Sequence, residues 1–231
     1  MNYPLYIILG MAPSVFWLLF YLKRDKHPEP KLMILKIFSW GMASALPAIF
    51  IEKGLALELA KISLSPFLAS IASILLGAAL VEESIKYLVV RGEIMKSNEF
   101  DEPVDAMIYM IVAALGFAAS ENVLILFGVA SSSPLEKTMA IILLRFLGAI
   151  SLHALCSAVV GFWLAVSFSR YRQEKFRLVL RGLIIAICLH GLFNFFIMKG
   201  GAIGFLIPIF IIMSLSLVVS VGFKDLKENY F

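Results

Sequence analysis

Leu80-Val81-Glu82-Glu83-Ser84-Ile85-Lys86-Tyr87-Leu88-Val89-Val90 carries two adjacent carboxylates and a lysine through an apolar run that begins near Phe67. That run is long enough to cross a bilayer, for which about 20 apolar residues are needed. A charge at the centre of a membrane helix costs about 2.5–3.5 kcal/mol on insertion scales, so an ionisable residue there marks a functional site by default. Glu121, Arg145, His153 and His190 lie on other apolar runs of the same chain. Function is therefore sought where these side chains converge.

The rest of the composition agrees with a membrane protein. Of 231 residues, 61% are hydrophobic and only 16% charged, against about 25% charged in an average soluble domain. The net charge of +4 belongs to short loops between apolar runs, where it sets topology rather than making a nucleic-acid surface. Cys156 and Cys188 both fall inside apolar runs and read as small hydrophobes, not as a disulfide framework. The first run, Tyr3 to Leu22, lacks a positive leading region and a small-residue cleavage site, so it reads as a retained helix.

Seven spans follow, at roughly 3–22, 32–51, 67–91, 104–129, 139–168, 179–198 and 203–222. The fold class is an all-α polytopic helix bundle forming a single transmembrane domain over 1–231, with its catalytic core at about 67–198. Glu52 to Ser65 places Leu55, Leu59 and Ile62 on one helical face and reads as a short interfacial helix between the second and third spans. Twelve basic residues fall in loops on one side: Lys23, Arg24, Lys26, Lys31, Arg91, Lys96, Arg170, Arg172, Lys175, Arg177, Lys224 and Lys227. Four fall on the other, Lys53, Lys61, Lys137 and Lys199. This asymmetry predicts an external N-terminus and a cytoplasmic C-terminus in a bacterial cell membrane.

At about 1.5 Å rise per residue, Glu82, Glu83, Glu121, His153 and His190 share a slab roughly 10–12 Å thick. Glu82 and Lys86 stand in the favourable order for an i, i+4 ion pair, while Glu83 points about 100° away toward another partner. Glu121 lies in Gly116-Phe117-Ala118-Ala119-Ser120-Glu121-Asn122, whose small residues permit close helix approach. Asp101-Glu102-Pro103-Val104-Asp105 before it reads as a helix start. Two histidines and a carboxylate form a catalytic zinc set with an open position for water, and a further glutamate could deprotonate that water. The expected metal set is Glu121, His153 and His190 with Zn2+, and the expected base is Glu82 or Glu83. Asn194, one turn beyond His190, could orient the ring or support an oxyanion; Lys86 would be counter-charge to Glu82. Arg145 reads as a side chain reaching to the outer surface, and His27 as a solvated loop residue.

Glu82-Glu83-x-x-Lys86, Phe117-x-x-x-Glu121-Asn122, His153 in the next span and His190-x-x-x-Asn194 together resemble the PrsW family of intramembrane proteases, itself similar to the CAAX prenyl endopeptidases and bacteriocin-immunity membrane proteins. The match runs in order over about 67–198. It departs at Ala106 and Met110, where the family tends to carry glycine. The resemblance implies hydrolysis of a peptide bond in a membrane-anchored protein substrate, for the best-known members a transmembrane anti-sigma factor in stress signalling. It also leaves open a metal-free mode, since related CAAX-type enzymes are argued to activate water with Glu and His alone. The competing reading from another class is a proton- or cation-coupled transporter, which also places Glu and His near the midplane. No internal repeat supports it.

Overall fold

A computed structural model describes residues 3–24, 27–95, 97, 99–130, 135–168 and 170–229. Lys26 and Lys96, counted above for topology, lie outside the described residues, as does the side chain of Lys137. In chain order the helices are α1 (Tyr3–Leu22), α2 (Lys31–Ala60), α3 (Pro66–Ala72), a π-helical segment (Ser73–Ala79), α4 (Leu80–Glu93), α5 (Pro103–Ala130), α6 (Leu135–Leu147), α7 (Ala149–Val166), α8 (Arg172–Lys199) and α9 (Gly201–Asn229). No strand occurs among the described residues. Among the described residues, seven helical stretches are long and apolar enough to cross a membrane, with α3 through α4 forming the third and α6 with α7 the fifth. The chain is an all-α polytopic bundle, as the apolar runs predict.

α5 is the axis of the bundle. Two thirds of its membrane window, 67%, is buried, against 17% for α1. Its Ala/Gly-rich sequence is the reason. A Cβ added at Gly116 would lie 2.1 Å from the Phe38 carbonyl oxygen, and one at Gly41 2.2 Å from that of Ala113. α2 and α5 therefore meet backbone to backbone, which only small residues allow. α7 covers another side of α5 with an almost wholly buried face, from Ile150 through Gly161.

Two local features differ from the apolar runs. The expected interfacial helix is not separate: Glu52 to Ala60 continue α2 without a break, and the chain turns only at Lys61. A helix is set by its backbone bonds, which do not stop where the residues turn polar. Ser65 then caps α3 by accepting from the Leu68 amide, with Pro66 at the first helical position. The fifth span is interrupted at Gly148, between α6 and α7. The Phe146 carbonyl beside the break accepts from the Trp17 indole at 3.0 Å and the Ser151 hydroxyl at 3.3 Å, so the interruption leaves that acceptor satisfied.

The start of α5 is capped as expected. Asp105 accepts from the amides of Asp101 at 3.2 Å and Glu102 at 2.7 Å, and Tyr109 donates to Glu29 in the preceding loop. His27 is exposed as predicted, but it pairs with Glu102 at 2.7 Å.

Candidate active site

The third span reaches the site through its π-helical segment. Each π turn holds an extra residue, and such segments cluster at functional sites. Here one rotates α4 relative to the helix before it, at the point where Gly191 of α8 packs on Leu75 and Ala79; a Cβ on Gly191 would lie 2.3 Å from the Leu75 side chain. Immediately after it, Glu82, Glu83 and Lys86 all face inward and are buried, Glu83 and Lys86 completely.

Lys86 is bound more tightly than an i, i+4 pair alone would hold it. Its ammonium donates to Glu83 at 2.9 Å and to Glu82 at 3.4 Å, to His153 Nδ1 at 2.7 Å, and lies 4.7 Å over the Phe117 ring. The expected partner, Glu82, is thus the more distant carboxylate. Glu83 accepts from Lys86, from Ser157 at 3.2 Å and from His190 Nδ1 at 2.9 Å. Both of its oxygens are therefore bonded.

These partners fix the His153 tautomer and the Nδ1 end of His190. His153 takes the Lys86 ammonium on Nδ1, so Nδ1 carries the lone pair and Nε2–H donates to Glu121 at 3.0 Å. His190 donates Nδ1–H to Glu83, and its Nε2 faces Glu82 Oε2 at 3.9 Å. His153 Nδ1 lies 3.5 Å from the same Glu82 oxygen, and the rings meet edge to face at 5.0 Å. One nitrogen from each imidazole and one carboxylate oxygen therefore converge.

Glu82, His153 and His190 are the group among the described residues whose ligand atoms all lie within 4.8 Å of one another. Two imidazoles and a carboxylate suit zinc, and each imidazole turns its other nitrogen to a carboxylate, the arrangement that orients metal-bound histidines. The residues fit a divalent ion, with the Lys86 ammonium competing for His153 Nδ1.

All the expected site residues except Asn194 meet in this cluster, but Glu121 and Glu82 stand differently from expectation. Glu121 abuts His153 from outside the ligand-spaced group and pairs with Arg145 at 3.0 Å. Arg145 does not reach for the outer surface: its Nε donates to Asn122 at 2.5 Å. The Asn194 side chain is half-buried one turn from His190 and makes no hydrogen bond among the described residues. Cys156 is buried and falls outside the ligand-spaced group.

Two contributors escaped the sequence reading. Ser157 supports Glu83 and is recoverable from its spacing, one turn after His153. Glu52 of α2 stands within electrostatic reach of Glu82, Glu121, Lys86 and His190. Treating 52–65 as a surface helix hid it.

A profile of the PrsW family intramembrane metalloproteases matches residues 29–221. The chain is 32% identical to a Protease PrsW of Geobacillus kaustophilus over 89% of this chain and 85% of that protein. It is 31% identical to Protease PrsW of Bacillus subtilis over 82% and 81%, and 30% identical to that of Oceanobacillus iheyensis over 83% and 81%. No solved structure matches.

Proposed function

This chain belongs to the PrsW family of intramembrane proteases, and from that premise we propose how its residues cut a peptide bond inside the membrane. It is a multi-pass bacterial membrane protease; the transporter reading has no support among its relatives. The observation that carries the mechanism is the convergence of His153 Nδ1 and His190 Nε2 on Glu82.

Glu82, not Glu83, is the base. Both oxygens of Glu83 are bonded, whereas Glu82 makes only long contacts, all through Oε2. Its Oε1 is free of partners among the described residues and takes the proton of a water seated between Glu82 and the imidazoles. The same acid then returns that proton to the departing amine nitrogen as the C–N bond breaks. Glu83 orients His190, Glu121 orients His153, and Lys86 stabilises the ionised glutamates. Asn194, on the His190 side of α8, donates to the oxyanion. Glu82 through Oε2, with His153 and His190, would hold a divalent ion, with Zn2+ the best match to the donors, which leaves Glu82 Oε1 as the base; when bound, the ion would make the water more acidic and polarise the carbonyl.

The substrate is a single-pass membrane protein, with a transmembrane anti-sigma factor as the candidate class. The loop charges support an external N-terminus and a cytoplasmic C-terminus. The test is co-expression with such a substrate. Wild type is expected to release a shortened fragment, while Glu82→Ala, His153→Ala and His190→Ala accumulate in the membrane and release none. Cleavage by Glu82→Ala at the wild-type rate would refute the assignment.

A further inference from the structure

α2 carries one acid that no bond in the site uses. Ala45, Ala48, Glu52 and Leu55 recur at a spacing that keeps all four on one helical face. Ala45 and Ala48 are buried against Val81 and Phe117, and Leu55 packs on the same group with Ile85. Phe117 is the ring beneath the Lys86 ammonium and beside His153. Glu52 is thus turned toward the cluster, half-buried, and electrostatically coupled to Glu82, Glu121, Lys86 and His190. No hydrogen-bond donor among the described residues reaches it.

Glu52, Glu82, Glu83 and Glu121 face two fixed cations, Lys86 and Arg145. Both cations are already engaged, Lys86 by Glu82 and Glu83 and Arg145 by Glu121. Neither fixed cation is within ion-pair distance of Glu52. A divalent cation on the ligand-spaced group beside it would give Glu52 a counter-charge.

We propose that Glu52 is a positioning residue of the ion site. It lies outside the ligand set, and its carboxylate adds the charge that holds a divalent cation on Glu82, His153 and His190. The inference rests on the ion-binding reading above and adds an acid from a span that reading does not use.

Zn2+ competition against a chromophoric chelator, with full-length protein in detergent and no substrate, tests it. Wild type is expected to bind one Zn2+, and Glu52→Gln to bind 10–100-fold more weakly, the usual cost of losing an outer partner of a metal site. Glu52→Asp, which keeps the charge, should stay within about threefold of wild type, and both variants should melt at the wild-type temperature. Wild-type affinity in Glu52→Gln overturns the proposal while leaving the ion site standing. Equal weakening in both variants, or weakening with a lowered melting temperature, marks a structural role and also overturns it. Absence of Zn2+ binding by a wild type that still cleaves its substrate removes the ion reading and this inference together.

Discussion

Removing Glu83 and Lys86 one at a time should hurt far more than removing both. Each is fully buried, and they lie 2.9 Å apart. At an effective dielectric of about 20 their attraction is about 6 kcal/mol, much of it offset by the cost of taking both from water. Breaking such a pair by deleting one partner costs about 3–5 kcal/mol, because the other charge is left buried and uncompensated. Glu83→Gln strands the ammonium with only Glu82 at 3.4 Å and the His153 nitrogen. Lys86→Met leaves Glu83 with Ser157 and His190, so it should be the milder change. The double variant replaces an ion pair by neutral groups of similar shape and should recover at least about 2 kcal/mol of the summed losses. Reversible unfolding in mixed micelles, followed by helicity, measures all four corners of the cycle. Singles that add to the double within about 0.5 kcal/mol would show that the pair is not coupled, and the charge arrangement built on it would fail.

Three further outcomes follow from the same geometry. Gly116→Val drives a side chain into the Phe38 carbonyl, backbone that cannot swing aside, and should cost about 1–3 kcal/mol, read as a lowered unfolding midpoint in the same micelles; an unchanged midpoint contradicts the close α2–α5 contact. Ser157→Ala deletes a donor to Glu83 and should destabilise by about 1 kcal/mol while slowing cleavage less than the imidazole substitutions do; equal loss of cleavage would make Ser157 part of the reaction itself. Chelation of purified protein should abolish cleavage of a membrane substrate and Zn2+ should restore it, whereas full activity in metal-depleted protein points to water activation by Glu82 and the imidazoles alone.

The spans and the ordered polar residues were legible because both are written along one dimension. Apolar length locates helices, and the high cost of burying Glu82, Glu83, Glu121, His153 and His190 marks them whatever their neighbours. Facing between helices is not so written. The π-helical Ser73–Ala79 changes the direction in which α4 presents its acids, and an α-helical periodicity carried through that segment gives the wrong azimuth. Within α4 both glutamates are in helical reach of Lys86, at i, i+3 and i, i+4, and which of them it favours, like which carboxylate joins the ligand-spaced group, depends on His153, Ser157 and His190 of other helices. Arg145 lies three residues before the interruption at Gly148 and turns to Glu121 and Asn122, a choice that depends on tertiary contacts alone. Glu52 was hidden by a boundary drawn where the apolar run of α2 ends, at Glu52 itself.

Anomalous scattering at the zinc edge from crystals of the zinc-loaded protein addresses the central geometry most directly. The expected result is one peak bonded to Glu82, His153 Nδ1 and His190 Nε2 at about 2.0–2.2 Å, with the Lys86 ammonium withdrawn toward Glu83. A peak ligated by Glu121 in place of Glu82, or side chains of α4, α7 and α8 too far apart to share one ion or one water, would contradict the account.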